Sequence, residues 1–530
     1  MNNFLILDCT LRDGGYINDW KFGRSNVINV ISKLTSANID IIECGFLEDT
    51  TYDPECSFFS DVSQIKAVMP SDKKQTQFVA MTRLGYLDLD KLEPYDGTSI
   101  DGIRVTFHEN EVEEAIEYCR TIKAKGYKVY VQPVGTTSYT DKYLLELIER
   151  VNELEPYAFY IVDTLGLMRQ TDVSRMYYLL DNNLKDDIVI GFHSHNNLQL
   201  SFSNAQVLAD LHTNRTIIVD SSVYGMGRGA GNLNTELIAQ HLNMSRNADY
   251  DMNALLEIVD ETISPLLSKY EWGYTVPYYL AAINNCHPNY ASYLMNRKTL
   301  TVKSISAILT SIPKHERELY NKALVEELYL KYQKHTINDN ESLKDLALLL
   351  SDQQVLILAP GASVTTNEDA LKAAIEEKNM VVISVNFDGN GIKPDYYFFS
   401  NNKRFQAFIS KGNVSQTAEK TILTSNVKTE ASNYKYMINY GDYLNSQSLV
   451  NDNATLMLIS LLVKLKLSNV YLAGFDGFEA GASTHYLNEK LETSLEKDHF
   501  IEMNHQIKDA INEINKTIDL QFLTPSLYMN

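Results

Sequence analysis

Eight short apolar runs recur through the first half of the chain, at 4–8, 39–46, 77–82, 102–108, 128–134, 158–164, 188–195 and 216–222. Most are nearly continuous in apolar residues, as a strand buried on both faces must be. Amphipathic segments such as 111–125 and 143–154 lie between them. Eight strand–helix repeats in about 250 residues have the count and size of a (β/α)8 barrel. An open doubly wound sheet needs fewer strands and usually a glycine-rich phosphate loop after the first. None follows 4–8, because Gly14 and Gly15 come only after Arg12 and Asp13.

The whole chain has 530 residues, room for two to four domains. Its 47 basic and 68 acidic side chains give a formal net charge of −21. A surface that acidic repels phosphate backbones, so generic nucleic-acid and anionic-membrane binding are not expected. No apolar run reaches the ~18 residues of a membrane span. The start, Met-Asn-Asn-Phe-Leu-Ile-Leu-Asp, lacks the basic region of a signal peptide. Five scattered cysteines (Cys9, Cys44, Cys56, Cys119, Cys286) fit a reducing cytoplasm.

Three regions are expected: a barrel over 1–248, a helical extension over 249–345, and a second α/β domain over 353–530. In the extension, strand signals fade and Leu, Tyr and Lys recur at helical spacing. The last region has strand-like runs at 355–358, 380–385, 396–400, 421–425, 436–440 and 470–473, with helical stretches between. That pattern predicts a mostly parallel, Rossmann-like sheet.

Reactive groups of such a barrel sit at the C-terminal ends of its strands. Arg12 and Asp13 follow the first run, and Glu43 closes the second. His108 ends the fourth, Asp163-Thr164 the sixth, and His193-Ser194-His195 the seventh. A glycine-rich loop from Gly225 to Asn232 follows the eighth. Two residues apart on a strand, His193 and His195 direct both imidazoles to one face. Asp13 is a neighbour once the barrel closes, and the Asn232 amide lies in the same quarter. Two imidazoles, a carboxylate and an amide make a mixed N/O set suited to Mn, Co, Fe, Zn or Mg. The competing reading makes the histidines hydrogen-bonded core groups and the Arg12–Glu43 pair a plain salt bridge.

The segments Thr10-Leu11-Arg12-Asp13-Gly14, Glu43-Cys44-Gly45-Phe46, His193-Ser194-His195-Asn196-Asn197 and Gly225-Met226-Gly227-Arg228-Gly229-Ala230-Gly231-Asn232 together resemble the DRE-type TIM-barrel metallolyases. That superfamily contains hydroxymethylglutaryl-CoA lyase, the isopropylmalate and homocitrate synthases, and 4-hydroxy-2-oxovalerate aldolase. The resemblance covers about residues 4–246. Arg104-Val105-Thr106-Phe107-His108 and the Gly-Met-Gly start of the late loop are most similar to the hydroxy-oxovalerate aldolase branch. The resemblance implies a divalent ion (Mn, Co, Zn or Mg) on Asp13, His193 and His195, with Asn232 ligating or approaching it. It further implies Arg12 on the oxygen of a developing enolate, Glu43 orienting Arg12, and Thr164 and Arg104 in substrate binding.

One position departs from that branch. Two residues after the Arg-Asp-Gly motif the aldolases carry a histidine as general acid/base, and here Tyr16 stands there. A phenol near pKa 10 is a poor base at neutral pH but a workable proton donor. Tyr16 and His108 are therefore carried as catalytic candidates, with Tyr139, Tyr274 and His287 behind them. The aromatic stretch around Trp272, Tyr274, Tyr278 and Tyr279, with 285–290, would lid the site or simply pack as helix.

In the last region, Leu358-Ala359-Pro360-Gly361-Ala362-Ser363 runs from a strand through a glycine turn into a helix. Amides at such a start can bind phosphate. With Asn386 and Asp476, Gly361 and Ser363 resemble the nucleotide-sugar-binding domains of sialyltransferase-like and motility-accessory proteins. That resemblance implies a nucleotide or nucleotide-sugar partner.

The resulting expectation is a cytoplasmic, homodimeric aldolase or lyase acting on a 2-oxo acid and an aldehyde through pyruvate-enolate chemistry, tied to bacterial surface-sugar metabolism. Two rivals stay open. One is an acyl-CoA Claisen condensing enzyme of the isopropylmalate synthase type, although the Gly-Glu-Gln signature after Asp13 is missing. The other is a nucleotide-sugar-binding or transferase protein with a non-catalytic barrel.

Overall fold

The computed structural model describes residues 3–297, 299–317, 319–411, 417–429, 434–447, 449–478 and 497–529. The chain divides into two compact units, 1–289 with 317–319, and 290–316 with 320–530.

All eight apolar runs of the first unit form strands. These are β1 (Phe4–Asp8), β2 (Ile41–Leu47), β4 (Gln77–Arg83), β5 (Gly102–Phe107), β6 (Lys128–Pro133), β7 (Ala158–Asp163), β8 (Val189–Ser194) and β9 (Ile217–Ser221). They pair in parallel, and β1 bonds to both β9 and β2, which closes the barrel. A two-residue strand, β3 (Phe58–Phe59), adds to the end of β2 at Phe46 and Leu47. Side-chain alternation sorts each strand between two cores. Leu7, Ile41, Val79, Tyr130, Ala158, Tyr160, Val189 and Ile218 fill the barrel interior. Ile6, Ile42, Phe78, Val129, Phe159, Ile190 and Val219 pack outward with the apolar helical stripes. The helix Asp141–Leu154 shows the pattern: Leu144, Leu147, Ile148, Val151 and Leu154 are its buried residues, and the Thr140 hydroxyl caps its start by accepting from the Tyr143 amide.

After the barrel come the helices Met252–Ile258, Ser264–Leu267 and Val276–Ile283. The second unit holds Val302–Ser311, Lys322–Gln333 and Asn340–Leu350, and then a seven-stranded sheet. Its strands are β10 (Val355–Leu358), β11 (Val381–Val385), β12 (Tyr396–Phe399), β13 (Thr421–Thr424), β14 (Tyr436–Ile438), β15 (Asn469–Ala473) and β16 (Asp519–Phe522). All pairings are parallel, in the order β14-β13-β12-β11-β10-β15-β16. Val355 and Ile357 join one core, and Leu356 and Leu358 another, so the sheet is buried on both faces. The order reverses between β10 and β15, and open α/β sheets place their crevice at such a reversal.

Candidate metal centre and active site

The interior-facing positions change character toward the C-terminal end of the barrel. Glu43 of β2, Arg104 of β5, Gln132 of β6, His193 of β8 and Asp220 of β9 are all buried there. His193 and His195 share the interior parity of β8, with ring centroids 5.2 Å apart. The turn after β1 brings Asp13 to them, its amide donating to the Cys9 carbonyl at 2.8 Å. Ligand atoms of Asp13, His193 and His195 lie within 4.8 Å of one another.

Each of these groups is held by a specific neighbour. His193 Nδ1 pairs with Asp220 Oδ2 at 2.9 Å, which reserves Nε2 for the cluster. Asp13 Oδ1 accepts from Arg12 Nη1 at 2.5 Å, and its Oδ2 accepts from Asn232 Nδ2 at 2.6 Å. The side-chain oxygen of Asn232, Oδ1, is buried with no hydrogen-bond partner among the described residues. Two imidazoles and a carboxylate converging in a buried place fit a divalent ion with mixed N/O ligands, and the Asn232 amide stands against the carboxylate through its nitrogen. Burial pushes His195 down to about 3, with His193, Arg228 and Arg12 adding to the effect, so its ring is neutral at physiological pH. Burial alone would raise Asp13, but Arg12 and both histidines hold it well below the usual carboxylate range.

A chain of charges continues below this layer. Arg12 Nε donates to Glu43 Oε2 at 2.7 Å, and Glu43 Oε1 pairs with Arg104 Nη1 at 2.9 Å. Arg104 Nη2 pairs with Asp220, the same carboxylate that fixes His193. The Gln132 amide, with its oxygen toward Arg104, accepts from Nε at 3.1 Å and Nη2 at 2.6 Å. Tyr160 presents its ring to the Arg104 guanidinium at 4.9 Å. Arg104 is 0% exposed. The substrate contact expected of it is replaced by a positioning part, because its guanidinium is enclosed by Glu43, Asp220, Gln132 and Tyr160. Asp220, Gln132 and Tyr160 were not singled out from the sequence. An acid inside the apolar run 216–222, on its interior parity, was the available signal for Asp220.

The glycine loop approaches Asp13 because it lacks side chains. A Cβ on Gly227 would lie 2.5 Å from Asn232 Nδ2 and 3.2 Å from Asp13 Oδ2. Gly231 has a φ of +77°, and a Cβ there would meet the Gly225 carbonyl at 2.1 Å. The segment expected as a lid sits on this loop. Gly273 N donates to the Gly229 carbonyl at 3.0 Å, and Trp272 Nε1 donates to the Tyr224 carbonyl at 3.3 Å.

Residues 3–261 match the HMGL-like family model. This part of the chain is an HMGL-like domain. It is 24% identical over 266 residues to a 4-hydroxy-2-oxovalerate aldolase of Pseudoalteromonas translucida, covering 49% of this chain and 76% of that protein. A 4-hydroxy-2-oxovalerate aldolase of Bacillus thuringiensis is 26% identical over 271 residues, covering 49% and 76%. An oxaloacetate decarboxylase of Mycobacterium tuberculosis is 25% identical over 281 residues, covering 51% and 79%. These matches bear out the resemblance to the DRE-type TIM-barrel metallolyases.

At the mouth of the HMGL-like domain, Tyr16 is 41% exposed and rests edge-on to Trp20, with ring centroids 4.8 Å apart. Trp20 Nε1 donates to the Arg12 carbonyl at 2.7 Å, which ties this aromatic corner to the charged one. The Arg228 guanidinium lies 5.3 Å from the Tyr16 ring centroid. Desolvation raises the Tyr16 phenol above its ordinary value, against the opposing pull of Arg12 and Arg228, so it is protonated at neutral pH. His287 is buried and pushed down to about 3, by desolvation first and then by Arg228 and His195. Thr164 is half-buried at the end of β7, its hydroxyl oxygen accepting from Gly135 N at 2.9 Å. His108 is not brought to this cluster: it is exposed and caps the short turn Glu109–Glu111, its amide bonded to the Glu111 carboxylate. Tyr139 is buried and donates to the Val134 carbonyl, and Tyr274 is exposed.

In the second unit, Gly361, Ser363 and Asp476 do meet, at the reversal between β10 and β15. The meeting closes the expected phosphate loop. Asp476 Oδ2 accepts from Ser363 N at 2.8 Å, and its Oδ1 accepts from the Ser363 hydroxyl. A Cβ on Gly361 would meet Asp476 Oδ2 at 2.5 Å. The donors expected for an anion already serve a carboxylate, and a phosphate beside it would meet a like charge. Asn386 is on the neighbouring strand end, its side-chain oxygen accepting from Ser400 N at 3.2 Å. Among the described residues, no helix is long and apolar enough to cross a membrane.

Proposed function

We propose that this chain is a divalent-metal-dependent aldolase that breaks or forms a C–C bond next to the carbonyl of a 2-oxo acid. The convergence of Asp13, His193 and His195 at the barrel mouth, with Arg12 bonded directly to Asp13, carries the reading. The names of the aldolase relatives, each matched over about three quarters of its length, support it. An ion on Asp13, His193 and His195, with the Asn232 oxygen beside it, would act as a Lewis acid on the substrate ketone; Mn, Co, Zn and Mg are the candidates.

The side chains supply the rest. Arg12 faces the position where negative charge develops as the bond breaks, and Glu43 holds its guanidinium in place. In the cleavage direction a base takes the proton of a 4-hydroxyl, the C3–C4 bond breaks to an aldehyde and a pyruvate enolate, and the enolate carbon takes a proton. Tyr16, protonated at neutral pH, donates that proton, and His287 lines the same mouth. The aromatic segment on the glycine loop excludes bulk water, which would otherwise quench the enolate.

Plasma mass spectrometry of the purified protein and of a His193→Ala/His195→Ala variant tests the centre. About one divalent ion per chain, lost in the variant, with pyruvate released from 4-hydroxy-2-oxo acids, is the expected result. A chain that takes up no ion when Mn, Co, Zn or Mg is offered ends the reading.

A further inference from the structure

The chain carries a large excess of acid, yet Arg228 stands without one. Among the described residues no carboxylate pairs with its guanidinium, and no side-chain hydrogen bond engages it. In a protein with 68 acidic and 47 basic side chains, that is a conspicuous place to leave a cation unmatched. By contrast Arg83, at the same rim, is committed to Glu48 through two bonds of 2.8 and 2.6 Å.

The position of Arg228 is fixed. It follows Gly227, whose missing side chain lets the loop approach Asp13 and Asn232. It precedes Gly229, which has a φ of +66° and packs against Pro288 and Tyr278. The Tyr16 ring holds the guanidinium by a cation–π contact and leaves its in-plane donors for another group. Its contact with Tyr16 and its place next to Gly227, which lies against Asn232 and Asp13, set it at the mouth of the site.

Depth orders the site. Arg12 and His195 are nearly closed off, at 5% and 8% exposure, whereas Arg228 is half-buried and Tyr16 is 41% exposed. A 2-oxo acid engaged by Asp13, His193, His195 and Arg12 therefore directs its other end outward, past Arg228.

We propose that Arg228 is the receptor for a second anionic group, at the end of the substrate remote from the 2-oxo acid. The preferred aldehyde partner then bears a carboxylate or a phosphate. The inference rests on the aldolase reading above. The reaction needs no additional reactant: C3 of the pyruvate enolate bonds to the aldehyde carbon, and the resulting alkoxide takes one proton.

The test uses the full-length chain loaded with Mn and two matched pairs of aldehydes. Succinic semialdehyde is set against butyraldehyde, and glyceraldehyde 3-phosphate against glyceraldehyde. Solvent deuterium exchange into pyruvate, followed by NMR, reports enolate chemistry independently of the aldehyde. The expected result is a kcat/KM about 10- to 100-fold higher for the anionic member of at least one pair, which also identifies the anion. In Arg228→Gln that preference collapses, mainly through KM for the aldehyde, and Arg228→Lys restores part of it. Unchanged thermal unfolding of both variants guards against misfolding as the cause. A wild-type enzyme with no preference within either pair overturns the proposal. So does a preference that survives Arg228→Gln, or a variant that raises KM for pyruvate equally with every aldehyde. Absence of exchange into pyruvate removes the aldolase reading and this inference together; exchange without anion preference removes this inference alone.

Discussion

Two strand ends in this molecule set a carboxylate beside a glycine turn, and they do opposite things with it. After β1, Asp13 is approached by the glycine loop, two imidazoles and an amide whose oxygen has no partner among the described residues. After β15, Asp476 reaches across to the turn after β10 and is capped by the amide and hydroxyl of Ser363. Both arrangements look alike as strand, glycine and acid. The difference is whether polar atoms are left over. A site with unmet hydrogen-bonding capacity in a buried place is organised for something else to arrive, whereas a satisfied pair is organised to hold two segments together.

Substitutions can break that comparison. The largest effect is expected for Asp13→Ala, which removes a proposed ligand and strips Arg12 of a partner. Aldol turnover should fall on the order of 10³-fold and bound ion should be lost, measured by pyruvate release and metal content. Next comes Asp220→Asn, which touches no ligand position directly but releases His193 and Arg104. Its expected signature is a 10- to 100-fold weaker apparent metal affinity in a chelator competition. Asp476→Ala should leave metal content alone and lower the stability of the second unit by about 2 kcal/mol in urea unfolding, because two charge-assisted bonds are lost. If turnover falls with it as steeply as with Asp13→Ala, the contrast between the two strand ends is wrong.

The smallest effect is a pH dependence. Burial raises Asp8 to about 6, against bonds from Thr235 and Thr10 that pull it down. A carboxyl whose folded value lies above its unfolded value binds more protons when folded. Its contribution to stability is therefore present below about 4 and lost as pH rises through about 6. Asp8→Asn removes that loss, so the variant should gain about 1–3 kcal/mol relative to the parent between pH 4 and pH 8. Thermal unfolding at both pH values measures the gain.

Much of this was legible in the residues. The eight barrel strands were readable because burial on both faces makes each run nearly continuous in apolar residues. His193 and His195 were readable because a period of two fixes their common face. Arg104 shows the limit: parity places it inside the barrel, but depth along the axis decides between substrate and scaffold, and depth depends on Glu43 and Asp220 from other strands. Strand β16 escaped because Asp-Leu-Gln-Phe alternates at a sheet edge and reads as polar. The closure of the Gly361 turn escaped because its partner lies more than a hundred residues away. His108 ended an apolar run as a barrel-mouth residue should, yet its first local use is to cap a turn.

The buried file Asp13–Arg12–Glu43–Arg104–Asp220 has three carboxylates against two guanidiniums. Those five side chains leave one negative charge uncompensated where water cannot screen it. A divalent ion held at Asp13, His193 and His195, as proposed above, would reverse that sign, and electroneutrality at the barrel's upper layer would then belong jointly to protein and solution. On that proposal, free cation concentration would set how firmly the barrel stays folded as well as how fast it turns over, and a cell starved of the metal would lose the fold's margin along with the chemistry.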